Sequence, residues 1–279
     1  MAQQADAINA AANLISQADA LLIGAGAGIG VDSGLPDFRG TEGFWKAYPA
    51  LGRHGLNFQE VASPRTFVRD PGLAWGFYGH RLELYRRTVP HTGFSLVRAW
   101  GERMLHGAFV FTSNVDGQFQ RAGYGEAVVA ECHGSIHHLQ CTRPCSEDIW
   151  PADGFTPVVD LDSCRLLNDP PSCPRCGALA RPNILMFGDP AWIEDRAQRQ
   201  QARLQAWLSG VQRLVVLEVG AGTDVPSVRH FSHQAIIDRQ AVLVRINPRQ
   251  PAVPGSQHVG IAAPALASLL AIQQRLDTA

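Results

Sequence analysis

Four of the six cysteines fall in two close pairs, Cys141-Thr-Arg-Pro-Cys145 and Cys173-Pro-Arg-Cys176, on either side of a stretch without regular hydrophobic pattern. Two such pairs supply the four thiolates of a closed tetrahedral zinc site, where the metal is structural because no position is left for water. The first pair has three intervening residues instead of the commoner two, a spacing the metal tolerates. A disulfide or idle thiols are the alternatives, and both fit a reducing compartment less well. Cys164, in the loop between the pairs, could stand in for a ligand, whereas Cys132 reads as a buried strand residue. A second constellation is Gly24-Ala25-Gly26-Ala27-Gly28-Ile29-Gly30, directly after the apolar run Ala20-Leu21-Leu22-Ile23. Glycines there allow a sharp turn and let backbone N–H groups approach a pyrophosphate, where a helix dipole favours negative charge. The same pattern also arises where a strand simply meets a helix. Its continuation from Asp32 to Gly40 is broken by proline, and no second strand ending in Asp or Glu follows at the usual distance. Both features argue against a hydride-transferring dehydrogenase.

The elements that must position these residues alternate along the chain. Helical spacing of apolar residues covers Ala7 to Ile15, Ser95 to Met104 and Ile193 to Leu208. Buried-strand runs are Ala20 to Ile23, Ala108 to Phe111, Leu214 to Leu217 and Ala241 to Ile246. Strands alternating with helices predict an α/β fold with a doubly wound, Rossmann-like parallel sheet. Residues 1–40, 88–138 and 182–279 are assigned to that domain, 41–87 to a cofactor loop and helical cleft wall, and 139–181 to an inserted zinc-binding module. The module, rich in Pro, Asp, Ser and Cys, has little apolar material and needs a staple. The tail from Gln273 to Ala279 reads as a frayed terminus.

Composition narrows the function. With 46% apolar and 18% charged residues over 279 positions, the chain can bury a full core, which excludes a disordered protein. A formal net charge of -1 leaves no cationic excess to neutralise a run of phosphates, so no direct nucleic-acid partner is expected. Apolar runs are only strand-length and the polar start Met1-Ala2-Gln3-Gln4 lacks a basic, apolar leader, so no membrane partner and a cytoplasmic location are expected. The sequence does not set an oligomeric state, and a monomer is expected.

At Gly26-Ala27-Gly28-Ile29 followed by Ser33-Gly34-Leu35-Pro36-Asp37-Phe38-Arg39-Gly40, the chain resembles the cofactor-binding signature of the sirtuins, NAD-dependent protein-lysine deacylases. Further landmarks follow in the family's order. Thr112-Ser113-Asn114-Val115-Asp116-Gly117 is similar to its Thr-Gln-Asn-Ile-Asp-Gly segment, and His133-Gly134-Ser135 matches the His-Gly-Ser that carries its base. After the cysteine pairs come Arg181-Pro182-Asn183-Ile184-Leu185-Met186-Phe187-Gly188-Asp189, a diverged Gly-Thr-Ser loop at Gly220 to Pro226, and Ile246-Asn247. The resemblance covers roughly residues 20–265.

That resemblance implies roles. NAD is consumed: the acyl oxygen attacks the ribose carbon bearing nicotinamide, and the acyl group ends on ADP-ribose. His133 is the expected base, suited by an imidazole pKa near working pH. Asn114 would orient the ribose or a water, and Asp116 would hold the nicotinamide carboxamide; turn-capping is the plainer use of both. Gly26, Ala27, Gly28, Ile29, Asp37, Phe38, Arg39, Ser113, Gly220, Gly222 and Asn247 complete the expected cofactor contacts. Arg39 is the phosphate contact, Phe38 an apolar shield and Asn247 the partner of the adenosine ribose. Acyl-lysine proteins are the implied partners, entering beside Ile184, Leu185, Phe187, Gly188 and Val225 as an added strand. Zn²⁺ on Cys141, Cys145, Cys173 and Cys176 is expected once per chain. His54, His106, His230 and His258 are expected as core histidines satisfied by backbone.

Tyr78 and Arg81 lie three residues apart, hence on one helix face. The same Tyr-x-x-Arg occurs in sirtuins that prefer acidic acyl groups, where a guanidinium can grip a succinyl or malonyl carboxylate. A solvated arginine over a packed tyrosine is the alternative. The chain departs from the family at Ser113 for Gln, Gly30 for Ser, Met186 for an aromatic, and Gly-Ala-Gly-Thr-Asp at 220–224. Those changes keep two other readings open, a protein mono-ADP-ribosyltransferase and a catalytically idle NAD-binding sensor. Product analysis separates the first, and nicotinamide release the second.

Overall fold

A computed structural model describes residues 2–37, 44–46, 48–53 and 55–278. Among these, the strands in chain order are β1 (Ala20–Ala25), β2 (Ala108–Thr112), β3 (Val129–Glu131), β4 (Gly134–Cys141), β5 (Ile149–Pro151) and β6 (Val159–Asp160). They continue as β7 (Arg165–Leu166), β8 (Ala180–Ile184), β9 (Leu214–Val219), β10 (Val242–Ile246) and β11 (Val259–Ile261).

Six strands form one sheet in the order β11-β10-β9-β1-β2-β3, parallel at every pairing. The chain leaves β1 toward β2 on one side and returns to β9 on the other. The strand order therefore reverses between β1 and β9, the position where doubly wound sheets bind ligands beyond their carboxyl ends. Both strands are buried along their whole length because helices cover both faces. Leu21, Ile23 and Ala25 pack with Ile8, Ile15, Val97, Trp100 and Leu269 from the helices Ala2–Ser16, Thr92–Glu102 and Ala265–Leu276. Ala20 and Leu22 point the other way, to Leu204, Leu208, Val228 and Ala235 on the helices Asp195–Ser209 and Ser227–Arg239.

The helix read over Ser95 to Met104 occupies Thr92–Glu102, and that read over Ile193 to Leu208 occupies Asp195–Ser209. The expected fraying from Gln273 is corrected: the last helix runs to Leu276, and the Gln273 side chain accepts a hydrogen bond from Trp100 Nε1 at 2.5 Å. His230 is exposed and so is no core residue. His258 is buried, and its Nδ1 accepts the Leu243 N–H at 3.1 Å. His106 is partly buried, and His54 lies outside the described residues.

The remaining segments build a second lobe. β5, β4 and β8 form an antiparallel sheet spanning 134–184, and its core is continuous with the helix Pro71–Arg87. The insert buries more than its composition suggests: Ala152, Phe155 and Cys164 pack with Trp75, Phe77 and Leu82. Trp75 donates to the Ala180 carbonyl at 3.0 Å, and Arg86 donates to the carbonyls of Phe155 and Ala152 at 2.7 and 2.8 Å. Arg165 grips Asp70 with two bonds of 2.8 and 2.6 Å. A Cβ on Gly76 would stand 2.0 Å from the Cys164 carbonyl oxygen, so only glycine lets the insert lie against this helix. Cys164 is committed to that contact instead of joining the thiol cluster.

Candidate active site

A cavity of about 880 Å³ lies between the carboxyl ends of β1 and β9 and the second lobe. Two glycine turns close its floor. Gly26 donates to the Val219 carbonyl at 3.0 Å and Gly28 to the Gly220 carbonyl at 3.1 Å. Gly220 has φ of +66°, and a Cβ there would meet Gly28 at 2.4 Å; one on Gly26 would meet Ala221 at 2.6 Å. Such crowding requires glycine and leaves bare backbone on the cavity wall, which is what a pyrophosphate needs to come close. This backbone cradle fits the dinucleotide that the sequence implies, and the volume lies in the range of ligand sites.

Gly26, Ala27, Asp37, Ser113, Asn114, Asp116, His133, Gly220 and Gly222 line the cavity, as do Tyr78, Arg81, Ile184, Leu185, Phe187, Gly188 and Val225. Gly28 and Ile29 sit behind the wall. Asn247 is fully buried: its amide donates to Ala221 at 2.9 Å and its oxygen accepts from Arg249 and Gln250, both at 3.0 Å. It braces the loop from below. Phe38 and Arg39 lie outside the described residues.

Asn114 follows β2 and donates to the Gly26 carbonyl at 3.1 Å, tying the two strand ends together. Asp116 is buried, and that burial raises its carboxyl from the usual 3.8 to about 6; a bond from the Gln118 N–H and the charge of Arg81 oppose the rise. His133 enters from the turn after β3. Burial holds its pKa below 6.5, so the ring is neutral at pH 7, opposed by a hydrogen bond to the Ser113 backbone. Its Nε2 lies 3.0 Å from Ser227 Oγ. The His133 carbonyl accepts from Leu185 at 2.9 Å, so His133 and the Leu185 to Gly188 segment are one unit. That segment is fixed further by Phe187 N–H on the Ala62 carbonyl at 3.0 Å and by the buried pair Arg181–Asp189, at 2.7 and 2.8 Å.

Arg81 is 7% exposed, which sets aside the solvated-arginine alternative. Its Nε and Nη2 both donate to Tyr85 Oη, at 2.9 and 2.8 Å, and its guanidinium stands over the rings of Phe77, Tyr78 and Tyr85 at 5.2 to 5.8 Å. Sequence reasoning passed over Tyr85, although its spacing of four from Arg81 on one helix is a usable signal. Ser227 was also passed over, and no pattern marks it.

The four cysteine sulfurs lie within 4.8 Å of one another, with 3.7 Å between Cys141 and Cys176 and between Cys145 and Cys173. Disulfide sulfurs would stand about 2 Å apart. Four thiolates at about 2.3 Å from a tetrahedral zinc are separated by about 3.8 Å, so the donor set fits that metal and excludes the disulfide alternative.

The family model for Sir2 matches residues 26–208. This chain belongs to the Sir2 family. Curated relatives agree: NAD-dependent protein deacylase 1 of Caldanaerobacter subterraneus is 29% identical over 88% of this chain and 89% of its own length. The NAD-dependent protein deacylase of Pyrococcus abyssi is 33% identical over 66% of this chain and 67% of its own. That of Aeropyrum pernix is 35% identical, with the match spanning 58% of its length. A solved structure described as the structural basis for the mechanism and regulation of Sir2 enzymes superimposes with a TM-score of 0.68 at 26% identity, covering 98% of both chains. An ADP-ribose complex of a mutant Sir2 homologue gives 0.67 at 25% identity over 96% of each.

Proposed function

We propose that this chain is an NAD-consuming protein-lysine deacylase in which His133 is the base. NAD, when bound, supplies an electron-poor ribose carbon for the acyl oxygen and a hydroxyl that finally carries the acyl group. The chain's own residues do the rest. The Gly26–Gly220 cradle receives the pyrophosphate with backbone, Asp116 offers the buried carboxyl that orients the carboxamide, and Asn114 fixes the strand ends beneath the sugar. His133, neutral at pH 7, takes the proton of the ribose hydroxyl at its unprotonated nitrogen. Segments at Gly188 and Val225, which both line the cavity, pair with the substrate backbone as an added strand. The observation that carries the reading is a neutral imidazole on the wall of the cavity that also holds Asp116 and the glycine cradle. Incubation with NAD and an acetylated or succinylated peptide should release nicotinamide and O-acyl-ADP-ribose. Label retained on protein would instead mean ADP-ribosyl transfer, and no nicotinamide release would mean an idle binding module.

A preference for acidic acyl groups is supported by Arg81, a cation buried on the cavity wall beside Tyr78 and held by Tyr85. A guanidinium pre-oriented in this way loses little entropy on gripping a carboxylate. Replacing Arg81→Met should lower desuccinylation by on the order of tenfold or more relative to deacetylation, the cost of one charge-assisted contact. Equal losses on both peptides would withdraw the preference.

A further inference from the structure

We propose that Ser227 is a positioning residue that holds the His133 ring by its reactive nitrogen until the cofactor sugar takes the hydroxyl's place. The inference rests on the reading of His133 as the base. It starts from one contact on the imidazole, Nε2 at 3.0 Å from Ser227 Oγ, and from the Ser113 backbone, which acts on the ring as a hydrogen-bond acceptor favouring its protonated form. A backbone carbonyl can only accept, so the nitrogen facing Ser113 carries the proton. Nε2 is then bare and accepts the Ser227 hydroxyl. Together the two favour one tautomer.

Ser227 is well placed to hold the ring and poorly placed to join the reaction. It opens the helix Ser227–Arg239, behind Val225 and Val228, which line the cavity while Ser227 does not. The helix packs on the sheet through Val228 and Ala235, so the hydroxyl is presented from a rigid element, not from the exposed Thr223 to Val225 loop. Ser227 therefore competes with a ribose hydroxyl for the same lone pair. Cofactor binding must break the Ser227 contact, and the hydroxyl lowers apparent cofactor affinity by the worth of one hydrogen bond.

Nitrogen-15 spectra of the histidine side chains of the whole cofactor-free chain, with the His133 signals assigned by their loss in His133→Ala, read the contact without turnover. The expected result is the tautomer with bare Nε2, whose resonance moves toward that of an unbonded acceptor in Ser227→Ala and returns in Ser227→Thr. Steady-state assays should show the KM for NAD falling on the order of two- to tenfold in Ser227→Ala, with the Ser227→Thr value near the parent's. An unmoved Nε2 resonance, or equal losses of kcat in both variants with unchanged KM, would overturn the proposal. Failure of the deacylase reading would look different: His133→Ala would turn over peptide while the Nε2 shift persisted.

Discussion

Along the parallel sheet, β1 and β9 are buried residue by residue, and helices on both faces supply aliphatic contacts. The second lobe buries one strand, β8, at every residue, but its other strands are less regular. Its longest, β4, has a register shift between Ser135 and Leu139, and β6 and β7 are two residues each. Beside its own apolar cluster, its parts are joined by specific ties: the thiol cluster, Arg86 and Arg165 on the insert and the cleft wall, Trp75 on Ala180, and glycine at position 76. A diffuse apolar core tolerates the loss of one group better than the thiol-stapled end of the lobe does. The cavity lies where these two kinds of construction meet, with a glycine floor from the sheet side and a rim that depends on the lobe.

The largest expected effect breaks the lobe alone. Metal analysis should return about one zinc per chain, and chelation or Cys173→Ser should remove a contribution on the order of 10 kcal/mol. The lobe's Trp75 and Trp150 should then become solvent-quenched while the sheet keeps its helical far-UV signal. Metal-free protein that melts unchanged would erase the contrast between the regions.

Next is the pair at the rim. Arg181→Met leaves the Asp189 carboxylate buried without its partner, which costs about 3–5 kcal/mol in denaturant titrations. Asp189 also accepts from Met186 and Ala191, so hydrogen exchange should rise first across 186–191. Loss confined to the sheet helices would contradict this placement.

The smallest effect belongs to the sheet side. Asp116 has a folded pKa raised from 3.8 to about 6, so the folded state favours the protonated form. Its ionisation opposes folding above pH 6, and the opposition fades as pH falls through 6 toward 4, a change of up to about 3 kcal/mol. Asp116→Asn should flatten stability over that window and leave the chain more stable at pH 7, while weakening cofactor use. An unchanged pH profile would show that the carboxyl is better solvated than its burial implies.

Legibility in the sequence followed the same division. The runs at β1, β2, β9 and β10 are apolar and long enough to carry a strand signal, and they fixed the doubly wound sheet. β3 and β11, three residues each, are too short to show a period. The segment from Gln273 reads as frayed because it is polar, and only the tertiary bond from Trp100 shows why Gln273 belongs to the last helix. The site's Asn114, Asp116 and His133 stand in recognisable segments that reach the cavity. Ser227 acts through a side chain distant in sequence that no motif announces, whereas Tyr85 lies one helical turn from Arg81, a spacing that carries a signal.

The central claim is that His133 serves as the base for acyl transfer. Single-turnover analysis of NAD and acyl peptide should show O-acyl-ADP-ribose formed by the parent chain, and a rate reduced about 10²–10⁴-fold in His133→Ala with cofactor binding retained. Equal rates in the two proteins would contradict the account.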